Sequence, residues 1–281
     1  MNSLGKSSWP LVPTTISQTS ELKTRRSPTS ASTRETLIGF VVMTQPISWQ
    51  IKASNLAEHA RNPIHTDAGA QAAGFPRALV AGVTTYAYLT HPLIVAWGEN
   101  WLHNGGGEVR FRRPVFDGDA LRCVPTNSGE SSTIDAITDE PHQPRAQFVA
   151  LTDSGPISPM RSGEVLPELQ IPLIGEWGSD YGQRAGDDLN FCLENNYVHP
   201  AVWPALANNV VHQFVARGSW IHTRSIIRHH GIAQSGSIAI VKSTVVRRFQ
   251  SHGERAILDV HIEVDGRIVA TIEHEAIVAL P

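Results

Sequence analysis

The run Asn62-Pro63-Ile64-His65-Thr66-Asp67 is where the sequence most clearly offers chemistry. Proline fixes the backbone angle and asparagine closes a turn through its side chain, so the run sets a histidine on a stiff loop. Imidazole changes charge near neutral pH, and Glu58 and Asp67 flank the loop as candidate partners in acid–base work. Metal chemistry finds no support: Cys123 and Cys192 are isolated, no HExxH pair occurs, and the adjacent His229 and His230 point to opposite faces of a strand. No metal site is expected.

The elements that must hold this loop can be read from the hydrophobic pattern. A polar, Ala-rich stretch from Leu56 to Ala60 reads as helix, and a second short helix ends near Gly74. From Val83 to Trp97 apolar residues recur at helical spacing almost all round the helix, so other elements must wrap it. Strands predicted at Glu108 to Val115, Ala120 to Pro125, Thr133 to Thr138 and Ala146 to Thr152 supply the wrapping. The same order returns in the second half: a helix over Pro200 to Val215, then strands at Gly218 to Arg228, Ser237 to Phe249, Ala256 to Val264 and Arg267 to Ala279. An offset of 118 residues separates both Gly82 from Pro200 and the Gly118 turn from the Gly236 turn, which points to a duplicated unit.

Each unit is then one long helix with an antiparallel sheet curled round it, an α+β hot-dog arrangement present twice. The expected organisation is a disordered segment over 1–45, a first hot-dog unit over 46–153, a Pro- and Gly-rich linker over 154–182, and a second, degenerate unit over 183–281. Ser and Thr crowd the first 36 positions, and Met43 is an alternative start; a genuine leader would imply organellar import. The 281 residues carry 41% hydrophobic and 17% charged side chains, enough for a large core. With Lys+Arg 23 against Asp+Glu 26, the net charge of -3 argues against nucleic-acid binding, and no apolar run is long enough to span a membrane. Unpaired cysteines fit a reducing, cytoplasmic setting.

The loop, followed by Ala72-Ala73-Gly74-Phe75, Val80-Ala81-Gly82 and the run Val109-Arg110-Phe111-Arg112-Arg113-Pro114-Val115-Phe116-Asp117-Gly118-Asp119, resembles the MaoC-like (R)-specific enoyl-thioester hydratases and dehydratases, of double hot-dog type. Gly186-Asp187-Asp188-Leu189-Asn190 and Val198-His199-Pro200 look like a degenerate second copy of that loop and helix start. The resemblance implies addition of water across the C2=C3 bond of an acyl thioester, or its reversal. His65 then matches the family's histidine, Asn62 the residue that fixes the loop, and Gly82 the helix-start glycine whose amide faces the thioester oxygen, with Val83 and Arg112 lining the substrate path. No cofactor of the protein's own is implied, because coenzyme A or phosphopantetheine arrives with the substrate; a homodimer or hetero-oligomer is the expected assembly.

Two positions depart from the family. Its catalytic aspartate falls on Ala60, and the histidine before the helix glycine falls on Ala81. A displaced carboxylate, Glu58 or Asp67, is the expected replacement, with Asp187 of the second copy a weaker one. The alternatives are a non-catalytic acyl-thioester-binding or partner subunit that has lost the aspartate, and other thioester chemistry such as a thioesterase. The thioesterase reading suffers from the lack of any Asp or Glu from Gly82 to Gly98 or from Pro200 to Gly218. His199, before Pro200, reads as a capping residue, and Arg110, Arg112, Arg247 and Arg248 as a solvated sheet face that would also suit coenzyme phosphates. A chain begun at Met43 is expected to keep the full cooperative thermal transition; loss of folding would show that residues 1–42 belong to the fold.

Overall fold

The structure, a computed structural model, describes residues 44–129, 131–138 and 143–280, so the expectation for the N-terminal segment lies outside the described residues. The first copy contains β1 (Trp49–Lys52), α1 (Asp67–Ala72), α2 (Gly82–Asn104), β2 (Gly106–Phe111), β3 (Ala120–Ser128), β4 (Ser131–Ile137) and β5 (Ala146–Leu151). Then come β6 (Glu164–Val165), β7 (Leu169–Pro172), α3 (Tyr181–Arg184), α4 (Phe191–Glu194), α5 (Val202–Val210), β8 (Ile221–His229), β9 (Ile238–Gln250), β10 (Glu254–Val264) and β11 (Arg267–Ala279).

All strands join one antiparallel sheet of eleven strands, in the order β1-β3-β4-β5-β2-β8-β11-β10-β9-β6, with β7 also paired to β9. The order reads the same from either end once β7 is matched with β1, which is the duplication expressed as topology. β2 and β8 form the seam, with Gly106 opposite Arg228 and Val109 opposite Ser225. Each copy's helix lies against its own strands, giving a double hot-dog fold.

Sequence explains most of these elements. β4 alternates Ser132, Ile134 and Ala136 inward with polar residues outward, the period of a half-buried strand. In α2, Tyr86, Tyr88, Leu89, Leu93, Trp97 and Trp101 are all buried, each contributing about 1.5–3 kcal/mol of apolar burial. The turns at Gly118 and Gly236 both need positive φ, +82° and +97°, which glycine adopts without strain.

Five expectations need correction. The stretch predicted as a helix near Leu56 is a tight 3₁₀ turn over Ala57–Arg61, running directly into the Asn62-Pro63 corner. α2 does not end at Trp97 but runs to Asn104 across a break at Gly98, whose φ is +54°. The strand expected to reach Val115 leaves the ladder after Phe111, because Arg112 and Arg113 both donate their amides to the Arg145 carbonyl. The second helix closes with a π-helical turn over Val211–Val215, where the Ala216 amide reaches the Val211 carbonyl at 2.8 Å. The segment read as linker supplies β6 and β7 to the sheet edge and carries Tyr181 into the interior.

Several histidines are buried in this fold. Burial is the first cause that pushes His199 and His229 down to about 4 and His274 to about 3. Each is neutral when folded but free to take a proton near pH 6.5 when unfolded, so the unfolded state gains protons first as pH falls. Each such group costs about 1.4 kcal/mol per pH unit below about 6.5, until its folded value is reached. The thermal midpoint should therefore fall steeply between about pH 7 and pH 5; a flat midpoint in a scan of that range would contradict these environments.

Candidate active site

The Asn62 loop is held by bonds that cross between the copies. Asn62, buried, donates from Nδ2 to the Trp220 carbonyl at 2.9 Å, while its Oδ1 accepts from the amides of Ile64 and Trp220, each at 3.4 Å. The first copy's loop is thus pinned to the start of β8, and Asn62 acts as a positioning residue. Pro63 and Ile64 form a single 3₁₀ turn ending at His65.

His65 donates from Nδ1 to the Leu79 carbonyl at 2.8 Å, which fixes its tautomer and leaves Nε2 with a lone pair. Burial holds its pKa down to about 4, against a smaller upward pull from that carbonyl, so the ring is neutral at pH 7. It borders two hollows. The larger, about 270 Å³, lies between the copies, with Gly82, Phe111 and Arg112 on one side and Trp220, His222 and Arg255 on the other. The smaller, about 30 Å³, has room for about one or two waters and is bordered by Glu58, His59, Val83 and Tyr181.

Gly82 opens α2, and among the described residues no backbone carbonyl accepts from its amide or from that of Val83. Such first-turn amides are free to meet an oxygen ligand. A Cβ at Gly82 would lie 3.3 Å from the Phe111 ring and 3.4 Å from His222 Nδ1, so the position is crowded from both copies. Val83, fully buried, borders the small hollow, whereas Arg112 stands at the larger one and donates to Gln147 at 3.3 Å.

No carboxylate borders the larger cavity, and none bonds to His65 among the described residues. Glu58 is paired with Arg184, and Asp67 accepts from the Ala78 amide at 2.8 Å, closing the turn before α2. The expected carboxylate partner of His65 is thus engaged elsewhere in both cases. Asp187 is buried beside His91, accepting at 2.8 Å from both His91 Nδ1 and the Leu189 amide, and borders neither hollow. His91, Asp187 and Asp188 do place ligand atoms within 4.8 Å of one another, a grouping absent from the sequence reading because the residues are far apart in the chain. Ala60 is on the exposed side of its turn.

In place of the aspartate, His59 turns inward. Its Nε2 lies 3.0 Å from the Tyr181 hydroxyl and 3.2 Å from Thr84 Oγ1, and those two oxygens are 3.0 Å apart. Burial first, then the charges of His65, Arg61 and Arg184, push His59 down to about 3. Sequence reasoning missed this trio, because Tyr181 lies in the presumed linker and Thr84 looked like one more helix residue. His199 accepts from the Ala201 amide at 3.2 Å, ahead of α5, and stacks on Tyr181. Arg110 pairs with Glu108 and Arg248 with Glu254, leaving Arg112 as the member of those basic pairs that reaches the cavity.

Residues 44–140 match the MaoC like domain family. A structure described as a MaoC-like dehydratase aligns over 84% of this chain and 98% of its own at 12% identity, with a TM-score of 0.54. A MaoC domain protein dehydratase from Chloroflexus aurantiacus J-10-fl covers 84% and 96% at 11% identity and TM-score 0.53. A Mycobacterium tuberculosis protein described as having a double hotdog fold covers 82% and 96% at 12% identity, also with a TM-score of 0.53. At these identities the structures share the fold. Among proteins of curated function, no sequence matches this chain significantly.

Asn62→Ala should leave the Trp220 backbone groups unpaired and cost about 1–3 kcal/mol, several degrees in thermal midpoint for a chain of this size. A shift no larger than that of an exposed-site control such as Gln71→Ala would remove Asn62 from this positioning role.

Proposed function

We propose, from the match of residues 44–140 to the MaoC like domain family, that the chain is a hydro-lyase on acyl thioesters, hydrating an enoyl thioester or dehydrating a 3-hydroxyacyl thioester. The observation that carries this is the neutral His65, its Nε2 left with a lone pair by the Leu79 bond, bordering one cavity together with the α2 amide at Gly82. The thioester oxygen rests against the Gly82 amide, where the helix N-terminus favours developing negative charge. His65 Nε2 takes a proton from water as the water oxygen bonds to C3. The C2=C3 electron pair moves toward the thioester, giving an enolate-like oxygen at Gly82. The imidazolium then returns that proton to C2, so one residue serves as base and acid and the balance closes without a carboxylate. A low pKa makes His65 a weaker base and a readier acid. Dehydration is the same path reversed.

A second reading is supported by the missing carboxylate at His65: the chain binds acyl thioesters without turnover, as a partner subunit. Hydration of crotonyl-CoA, followed by loss of enone absorbance, separates the two. Under the hydro-lyase reading the wild type turns over, His65→Ala loses about 10²- to 10⁴-fold, and Glu58→Gln and Asp67→Asn change the rate only a few-fold. Ala60→Asp places its carboxylate on an exposed face and alters little. An inert wild type that still binds butyryl-CoA would favour the subunit reading.

The pH profile gives an independent check. With His65 already deprotonated down to about 4, the rate should stay level from about pH 8 to pH 5.5, without the inflection near 6.5 of an ordinary histidine base. An inflection at that point in kcat/KM would contradict the assignment of His65 as the base.

A further inference from the structure

Among the described residues, three atoms on residues that border the larger cavity are buried without a hydrogen-bond partner: Nδ1 of His222, Nε1 of Trp220 and Oδ1 of Asn208. All three come from the second copy, the half without the Asn-Pro-Ile-His loop. A buried polar group with no partner is costly, and a ligand atom that met one of them would offset that cost. Indole Nε1 only donates, so a ligand atom meeting it is an acceptor.

His222 is the best placed of the three. Between β8 and β11 the register slips, His222 facing Ala276 while Arg224 faces Glu275, so Thr223 is an extra residue in β8. That bulge turns His222 and Ser225 to the same buried side, the re-aiming such irregularities produce. His222 Nε2 lies 2.8 Å from Ser225 Oγ, which lies 2.9 Å from His274 Nδ1. Nε2 is thereby occupied, and Nδ1 stands 3.4 Å from where a Gly82 Cβ would be. His222 Nδ1 is therefore packed next to the glycine that opens α2.

The serine hydroxyl between two imidazoles donates to one and accepts from the other. When His274 Nδ1 donates to Ser225 and Ser225 donates to His222 Nε2, the His222 proton sits on Nδ1, on the side next to Gly82. Burial keeps both rings neutral, so this arrangement needs no net charge.

We infer that His222 donates a hydrogen bond from Nδ1 to the substrate's thioester oxygen at Gly82, with Ser225 and His274 as positioning residues that keep the proton on that nitrogen. This rests on the acyl-thioester reading above. The degenerate copy then supplies part of the oxyanion site as well as cavity wall.

The test uses the full chain with crotonyl-CoA for turnover, and butyryl-CoA and S-butyl-CoA, the thioether lacking the oxygen, for binding. His222→Phe should lower kcat about 10²-fold with KM within a few-fold, the signature of a donor that tightens as the oxygen gains charge. His222→Asn, whose amide N–H falls near the Nδ1 position, should recover a large part of that loss. Ser225→Ala should lower kcat by about tenfold without moving KM, as expected of a positioning residue. The wild type should prefer butyryl-CoA to S-butyl-CoA by about tenfold, a preference His222→Phe abolishes. Unchanged kcat in His222→Phe, or the same preference in both proteins, overturns the proposal. An inert wild type that keeps the preference would sink the hydration reading and leave His222 standing, whereas binding of neither ligand sinks both. Should His222→Phe fail to fold, His222→Asn and the ¹⁵N signal of wild-type His222 decide: Nδ1 should stand at its protonated position both before and after butyryl-CoA is added, and an unprotonated Nδ1 in the complex overturns the proposal.

Discussion

The pairing of β2 with β8 is the contact on which the rest of this molecule depends. It fuses two curled sheets into one, and the backbones approach so closely there that side chains are excluded. A Cβ at Gly106 would lie 2.3 Å from the Ile227 carbonyl oxygen, and one at Gly107 would lie 2.1 Å from that of Val149. Gly106 and Gly107 therefore meet a steric condition set by strands from both copies. Arg224 reinforces the seam, bridging Glu108 on β2 and Glu273 on β11. Because the seam fixes where β8 begins, it also fixes Trp220 and His222 against the first copy's loop and helix.

That arrangement makes the site a shared one. The loop holding His65 is fastened to the Trp220 backbone through Asn62, and Tyr88 of α2 donates to the Ala185 carbonyl at 2.8 Å. His59 and Thr84 meet Tyr181 from the segment joining the copies. Each is a buried polar link whose partners come from distant parts of the chain, so each is satisfied only when both copies are docked. The copy without the Asn-Pro-Ile-His loop is thus required to shape the loop of the other.

The histidines show the cost of this design. Burial keeps His65 neutral at physiological pH with a defined tautomer, and the same burial leaves other imidazoles exposed to acid-driven unfolding.

The sequence by itself determined the duplication, the two wrapped helices, most strand positions, and the Asn62-Pro63-Ile64-His65 corner with Gly82 after it. These are signals of local period and turn chemistry, carried by neighbouring residues. It also showed that the aspartate and histidine of the related loop are replaced by Ala60 and Ala81. Only the tertiary structure decided what stands in their place. Glu58 and Asp67 are near His65 in sequence, yet Arg184 holds the first and the Ala78 amide the second. Tyr181 and His222 reach the site from residues far along the chain, His222 through a bulge that no hydrophobic period encodes. The physical reason is that an acid–base group is defined by its neighbours in space, by burial and by which atoms are already bonded; those depend on how two copies meet along β2 and β8, which the local pattern of either copy does not contain.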